Sequence, residues 1–259
     1  MMDAYICGIG WVTGAGCGWG KQGGDCNFSE LPPPRLTRKD VFPEPNQRFG
    51  RMSEYTKLGL AAITFALRDA GLESWSDKRP IGVVASTRLG CLATDLEYHR
   101  TVLLDGGGLA SPNLFAYTLA NCFLGDAAIL FGLTGSSVAI NETGDDNLGA
   151  IRMALEDLEM GEAETILAGI CDLPVPDAVA GCVALKPGAL FLVLSANPPA
   201  TPVAYGTVSR GEDGRVLHNG IAANSLAALV RTALQGRIAV ETHSDNRSNT
   251  PEEAGSTHP

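Results

Sequence analysis

Basic residues, paired cysteines and long apolar runs are what this chain has least of. Its 259 residues carry 19 Lys and Arg against 29 Asp and Glu, a formal net charge of −10. That balance argues against nucleic-acid binding, which needs cationic side chains to displace counterions from phosphate. No apolar run approaches the ~20 residues that span a bilayer. The opening residues, Met1 to Tyr5, have no basic segment ahead of apolar ones, so no secretion signal is expected. The seven cysteines are an odd number and no two are spaced CxxC. A disulfide framework and a zinc site are both disfavoured, and free thiols in a reducing cytoplasm are expected. The four histidines, His99, His218, His243 and His258, are too scattered to form a metal motif. Neither a metal nor a cofactor is expected.

What is present is enough apolar material for a core. Hydrophobic residues make up 45% and charged residues 19% of the chain, which places it among globular proteins. One domain over residues 1–240 accommodates the pattern. After Glu241 apolar residues run out, and 241–259 are expected to be a disordered tail.

Strand and helix signals alternate along the chain. Ala4 to Thr13 is apolar and opens a strand. Glycines and Pro32-Pro33-Pro34 mark the stretch to about residue 50 as loop. Ser53 is a candidate N-cap for a helix whose apolar face holds Tyr55, Leu58, Ala62 and Phe65, with Gly71 at its end. Residues 81–86, 136–140, 165–170, 189–194 and 203–208 read as short strands. Helices are expected over 95–104, from Ser111 onward with an interruption at Gly125, over the stripe Leu148, Ile151, Leu155 and Leu158, and over 220–234. Several strands are apolar on both faces, so the expected architecture is an α/β layered sheet with helices on both sides.

Familiar nucleotide and nucleophile motifs do not hold up. Gly18, Gly20 and Gly23 have GxGxxG spacing, but a proline-rich loop follows where a dinucleotide fingerprint needs a helix. Cys91 follows a strand and has no obvious base nearby, which fits a small buried thiol. The six basic residues among 35–57, against three acidic ones, fit a solvated face.

The most informative segment is 136–158. A strand feeds a tight turn that opens a helix, so backbone N–H groups and the helix dipole favour negative charge at the apex. The turn reads Glu142-Thr143-Gly144-Asp145-Asp146. Glu142, Asp145 and Asp146 form a polar cluster that fits helix capping, with a general base or a cation site as the functional alternative.

Here the chain resembles the N-terminal half of a β-ketoacyl synthase. The resemblance begins with Cys7-Gly8-Ile9-Gly10 and Val12-Thr13. It continues through residues 51–62 and 66–72, and through Ser111-Pro112 to Gly132-Leu133-Thr134-Gly135. It then covers the bend at 136–151 and the strand at 161–169. It implies a thiolase-like fold in truncated form, a central mixed sheet covered by helices. It also places the family's catalytic cysteine at Gly144, which has no side chain to acylate. The family's two catalytic histidines belong to a second half that this chain is expected not to complete, and no HGTGT-like or NSxxGH-like segment occurs. No condensing activity is expected from this chain alone, since that chemistry needs an acyl-accepting nucleophile and oxyanion donors.

Synthases of this type dimerise through the strand before the bend, here Ser137, Val138, Ala139, Ile140 and Asn141. The resemblance therefore implies a partner. Clusters for aryl polyenes and aromatic polyketides pair an active ketosynthase with a degenerate homologue, the chain length factor. This chain resembles such a subunit, in fatty acid or polyketide biosynthesis. Leu114, Phe115, Tyr117 and Leu119 are the candidate acyl-pocket wall. At −10 the chain should repel an acidic acyl carrier protein, whose contact would be indirect, through the ketosynthase. Two alternatives remain open: a homodimeric acyl-binding or scaffold protein, and a thioester-acting enzyme with altered chemistry.

Overall fold

A computed structural model describes residues 2–199 and 205–245. Strand β1 (Ala4–Thr13) turns through a hairpin into β2 (Gly16–Trp19), and a short helix α1 (Arg38–Val41) leads to the long helix α2 (Glu54–Ala70). Then come β3 (Ile81–Thr87), α3 (Leu92–Leu103), α4 (Pro112–Phe115), α5 (Cys122–Phe131), β4 (Ser137–Asn141), α6 (Gly149–Glu159) and β5 (Thr165–Asp172). The chain continues through β6 (Gly188–Ser195), β7 (Thr207–Arg210), β8 (Val216–His218), β9 (Ile221–Ala222) and α7 (Leu226–Asp245).

Among the described residues these strands form one mixed sheet, ordered β4-β3-β5-β6-β1-β7-β8-β9, with β2 added to β1. Strands β4 and β5 flank β3 in parallel, while β6 runs antiparallel to both β5 and β1. Both faces are covered. On one, α2 and α5 bury Tyr55, Ile63, Phe65 and Phe123 against Val83 and Phe191. On the other, Ile151, Leu155 and Leu158 of α6 join Leu229 and Val230 of α7 against Ile166 and Leu192. The expected layered α/β architecture is the observed one.

The local signals behind α2 act as expected. The Ser53 hydroxyl accepts a bond from the Thr56 N–H at 3.2 Å, and Gly71 closes the helix in the left-handed region at φ +72°. The helix lies so close to β1 that a Cβ added at Gly10 would sit 2.2 Å from the Ala66 nitrogen. Buried Asp69 ties the same two layers together, accepting from the backbone N–H groups of Ile9 at 2.9 Å and Lys21 at 2.6 Å.

Several boundaries differ from the sequence expectation. Strand β2 and helix α1 lie in the stretch read as loop. The glycines of β2 hid its strand character, and Gly18 and Gly20 belong to this hairpin and its turn rather than to a nucleotide-binding loop. The helix expected from Ser111 breaks at 116–121, not at Gly125, which sits inside α5. At the break the Thr118 hydroxyl donates to the Phe115 carbonyl at 2.8 Å. The last helix starts at Leu226, because 216–222 pair as β8 and β9, and it runs to Asp245. The strand expected over 203–208 is seen from Thr207. Residues 200–204 and most of the expected tail, 246–259, lie outside the described residues.

The contact between α2 and β1 generates a test. Substitution of Gly10 by Ala puts a methyl group into helix backbone, and should destabilise the fold by about 3 kcal/mol. Urea unfolding measures this, and an unchanged midpoint would contradict the close approach.

Candidate functional site at the bend before the sixth helix

Helix α6 does not begin at Gly144. It begins at Gly149, five positions later, and residues 142–148 form an ordered connection rather than a tight turn. The connection is anchored at its start, where the Glu142 N–H donates to the Thr87 carbonyl at the end of β3, at 2.8 Å. Asn147 adopts φ +55°, a left-handed conformation that Asn tolerates better than most residues.

Each acidic residue of the expected cluster is engaged differently. Glu142 is buried, and its carboxylate bridges the bend. One oxygen accepts from the Gly144 N–H at 2.9 Å, and the other from the Gly149 N–H at 3.0 Å. Asp146 accepts from the Leu148 N–H at 3.2 Å and pairs with Arg152 of α6. Asp145 is exposed and pairs with Arg88 at 3.0 Å. The same Arg88 guanidinium donates to the Gly144 carbonyl at 2.8 Å. Helix α7 docks on the bend through the Leu226 N–H, which donates to the Asp146 carbonyl at 2.8 Å. The carboxylates of Asp146 and Glu142 thus satisfy the Leu148 and Gly149 amides at the helix start, and Glu142 also takes the Gly144 amide of the bend.

Sequence reading missed two members of this neighbourhood. Asp172, at the end of β5, is buried and accepts from the Thr87 hydroxyl at 2.7 Å and from the N–H groups of Arg88 and Leu89, both at 3.0 Å. Burial pushes its carboxyl up from the ordinary value, against the pull of those donors and of nearby Arg88. The available signal was a charged residue closing an otherwise apolar strand. Arg88 and Asp172 are 84 positions apart, so nothing in the sequence paired them. Arg88, Asp145, Asn147, Asp172, Lys186 and Ser225 line part of a cavity of about 490 Å³ at the carboxyl ends of β3 and β5.

The other candidate residues are distributed over the surface. Leu114 and Tyr117 line a smaller cavity of about 190 Å³ with Met52 and Leu173. Phe115 and Leu119 do not join them, and are 62% and 63% exposed. Leu103, Leu104 and Leu109 are exposed in the same stretch. Strand β4 pairs with β3 along one edge, from Val83–Ser137 to Thr87–Asn141, and its other edge has no strand partner among the described residues. Cys91 is buried and its thiol lies 3.5 Å from the Asp95 carboxylate. Burial, helped by that carboxylate, pushes the thiol up to about 12, which opposes formation of the thiolate. Among the described residues no group of three or more His, Cys, Asp or Glu side chains is placed to hold a metal ion, and no helix is long and apolar enough to cross a membrane.

A mixed sheet between two helical layers, with a strand–bend–helix unit at its edge, defines the thiolase-like class of fold. Within that class, the N-terminal-domain model of the β-ketoacyl synthases matches residues 35–223, and the chain belongs to that family. It is 28% identical over 172 residues to the 3-oxoacyl-[acyl-carrier-protein] synthase 2 of Vibrio harveyi, covering 66% of this chain and 40% of the relative. The match thus spans well under half the length of that synthase. Among solved structures, a β-ketoacyl synthase from Burkholderia phymatum superposes with a TM-score of 0.61 at 20% identity, over 80% of this chain and 63% of that one. The complex of the ketosynthase ApeO with its chain length factor ApeC from Xenorhabdus doucetiae gives a TM-score of 0.56 at 16% identity. That match covers 75% of this chain and 79% of the matched one, so the two chains are of similar length.

Two outcomes check the site. Glu142→Ala strips the acceptor from two amides, and should lower stability by about 1–3 kcal/mol in thermal unfolding. An unchanged melting temperature would show that the bridge is not structural. For Asp172 the sign follows from its raised value. The folded chain holds this proton to higher pH than the unfolded chain does, so the residue's contribution to stability is greatest below the ordinary value of 3.8 and is lost as pH rises through the elevated one. Asp172→Asn should flatten that part of the pH–stability curve, and superimposable curves would contradict the assignment.

Proposed function

We propose that this chain is a non-catalytic β-ketoacyl synthase homologue that acts as a chain-length-factor-like partner subunit of an active ketosynthase in fatty acid or polyketide synthesis. The observation that carries the reading is at the bend. The position that the family resemblance gives to the acyl-accepting cysteine is Gly144, and its amide is already committed to the Glu142 carboxylate. Covalent acyl transfer needs a nucleophile, and stabilising a tetrahedral intermediate needs free donors. Gly144 offers neither, so condensation belongs to the partner.

The partner's place is supported by the unpaired edge of β4. An exposed edge strand is an aggregation hazard unless it is covered. The exposed apolar residues Leu103, Leu104, Leu109, Phe115 and Leu119 add surface of the kind that interfaces bury. A superposable chain of similar length in a ketosynthase–chain length factor complex points the same way. In this reading, Val138, Ala139 and Ile140 meet the ketosynthase across the dimer axis, and the 112–119 segment contributes to the wall that limits the growing acyl chain. The net charge of −10 gives an acidic carrier protein no attraction to this subunit, so the carrier docks on the ketosynthase.

Co-expression with an intact ketosynthase of the same organism tests the proposal. A one-to-one complex is expected on size exclusion. Replacing exposed Leu119 in L119D should weaken it about tenfold or more while leaving the melting temperature of the subunit unchanged. A chain that stays monomeric and captures no ketosynthase would overturn the reading. A stable homodimer carrying bound fatty acid would favour the scaffold alternative.

A further inference from the structure

We propose that Glu142 and Asp146 act together as an anionic clamp that makes position 144 unable to support a reactive thiol, so that restoring the missing sulfur alone would not restore a nucleophile. The inference rests on the placement of the family's cysteine at Gly144, and deepens it. It concerns what these two carboxylates exclude, and assigns them no ligand.

The geometry is specific. A Cβ built on Gly144 would lie 2.8 Å from the Asp146 Oδ1 and 3.4 Å from the Glu142 Oε1. Any side chain there starts out between two carboxylate oxygens. Neither carboxylate is free to swing away. Glu142 is held by the Gly144 and Gly149 amides, and Asp146 by the Leu148 amide and Arg152. A thiol becomes nucleophilic by losing its proton, and a nearby negative charge opposes that loss. The Gly144 N–H, the donor at this position that could receive a developing oxyanion, is occupied by the same Glu142. Two cations also face the position: Arg88, which donates to the Gly144 carbonyl at 2.8 Å and pairs with Asp145, and Arg152, which pairs with Asp146. The two carboxylate oxygens are the atoms nearest the Cβ, so the acids act on a thiol there at shorter range than either guanidinium group, and glycine is the residue that fits beside them. Glu142 and Asp146 are positioning residues in this sense, acting on whatever occupies position 144.

Site-resolved alkylation tests the clamp. G144C is treated with iodoacetamide across pH 6–10 and each cysteine peptide is quantified by mass spectrometry, with exposed Cys182 as the reference within the same molecule. Each unit by which a thiol's pKa rises cuts its thiolate fraction about tenfold. The introduced thiol is expected to react at least about tenfold more slowly than Cys182 at pH 8, with its rate profile displaced to higher pH. In G144C/E142Q/D146N the profile should move back by about one pH unit or more. Far-UV circular dichroism confirms the fold of each variant. Should G144C not fold, G144C/E142Q and G144C/D146N carry one acid each, and both should react more slowly than the triple variant. A G144C thiol that reacts like Cys182 would overturn the proposal. So would a thiol whose slow rate and pH profile stay put when both acids are neutralised, since enclosure rather than charge would then be responsible. None of these rates depends on a ketosynthase, so failure of the clamp and failure of the partner reading are separate results.

Discussion

The Glu142 carboxylate, bridging the Gly144 and Gly149 amides, is the interaction on which the rest of the site depends. It joins the end of β4 to the start of α6 across seven residues that no regular ladder supports. Buried backbone donors must find acceptors, and here one side chain satisfies two of them. The bridge fixes where α6 begins, and so where Ile151, Leu155 and Leu158 meet the sheet. Asp146 extends the same logic. Its side chain caps Leu148 and pairs with Arg152, while its carbonyl receives the first turn of α7. The bend is therefore a structural junction that joins β4, α6 and α7.

Opposite that junction, the sheet is positioned by close backbone packing. Gly10 lets α2 approach β1, and Asp69 bonds the helix to the hairpin that carries Lys21. The strand order runs from there through β6, β5 and β3 to β4, whose outer side has no strand partner among the described residues. The same arrangement places the exposed edge, the bend and the cavity behind Arg88 at the β4 end of the molecule.

Much of this was legible in the sequence, and the exceptions have physical causes. The runs at 81–86, 165–170 and 189–194 are apolar and short, and each became a buried strand. The stripe from Leu148 to Leu158 has one-face helical spacing and became α6. Strand β2 was hidden because its glycines carry no side chains to alternate, and pairing with β1 decided its conformation. The break at 116–121 was missed because neither glycine nor proline marks it. At the site, the acidic residues Glu142, Asp145 and Asp146 could be read directly as a group at the bend. The roles of Arg88 and Asp172 could not, since contacts across 84 residues leave no local pattern. Glu142 was noticed as a capping residue. That its carboxylate would occupy the Gly144 amide became visible only with the bend in three dimensions.

The most direct measurement of the central claim is intact-protein mass spectrometry of the isolated chain after incubation with acyl and malonyl thioesters of the carrier protein. The account predicts an unshifted mass, with acyl groups appearing only on a ketosynthase added to the mixture. A stable acyl adduct on this chain by itself would contradict it.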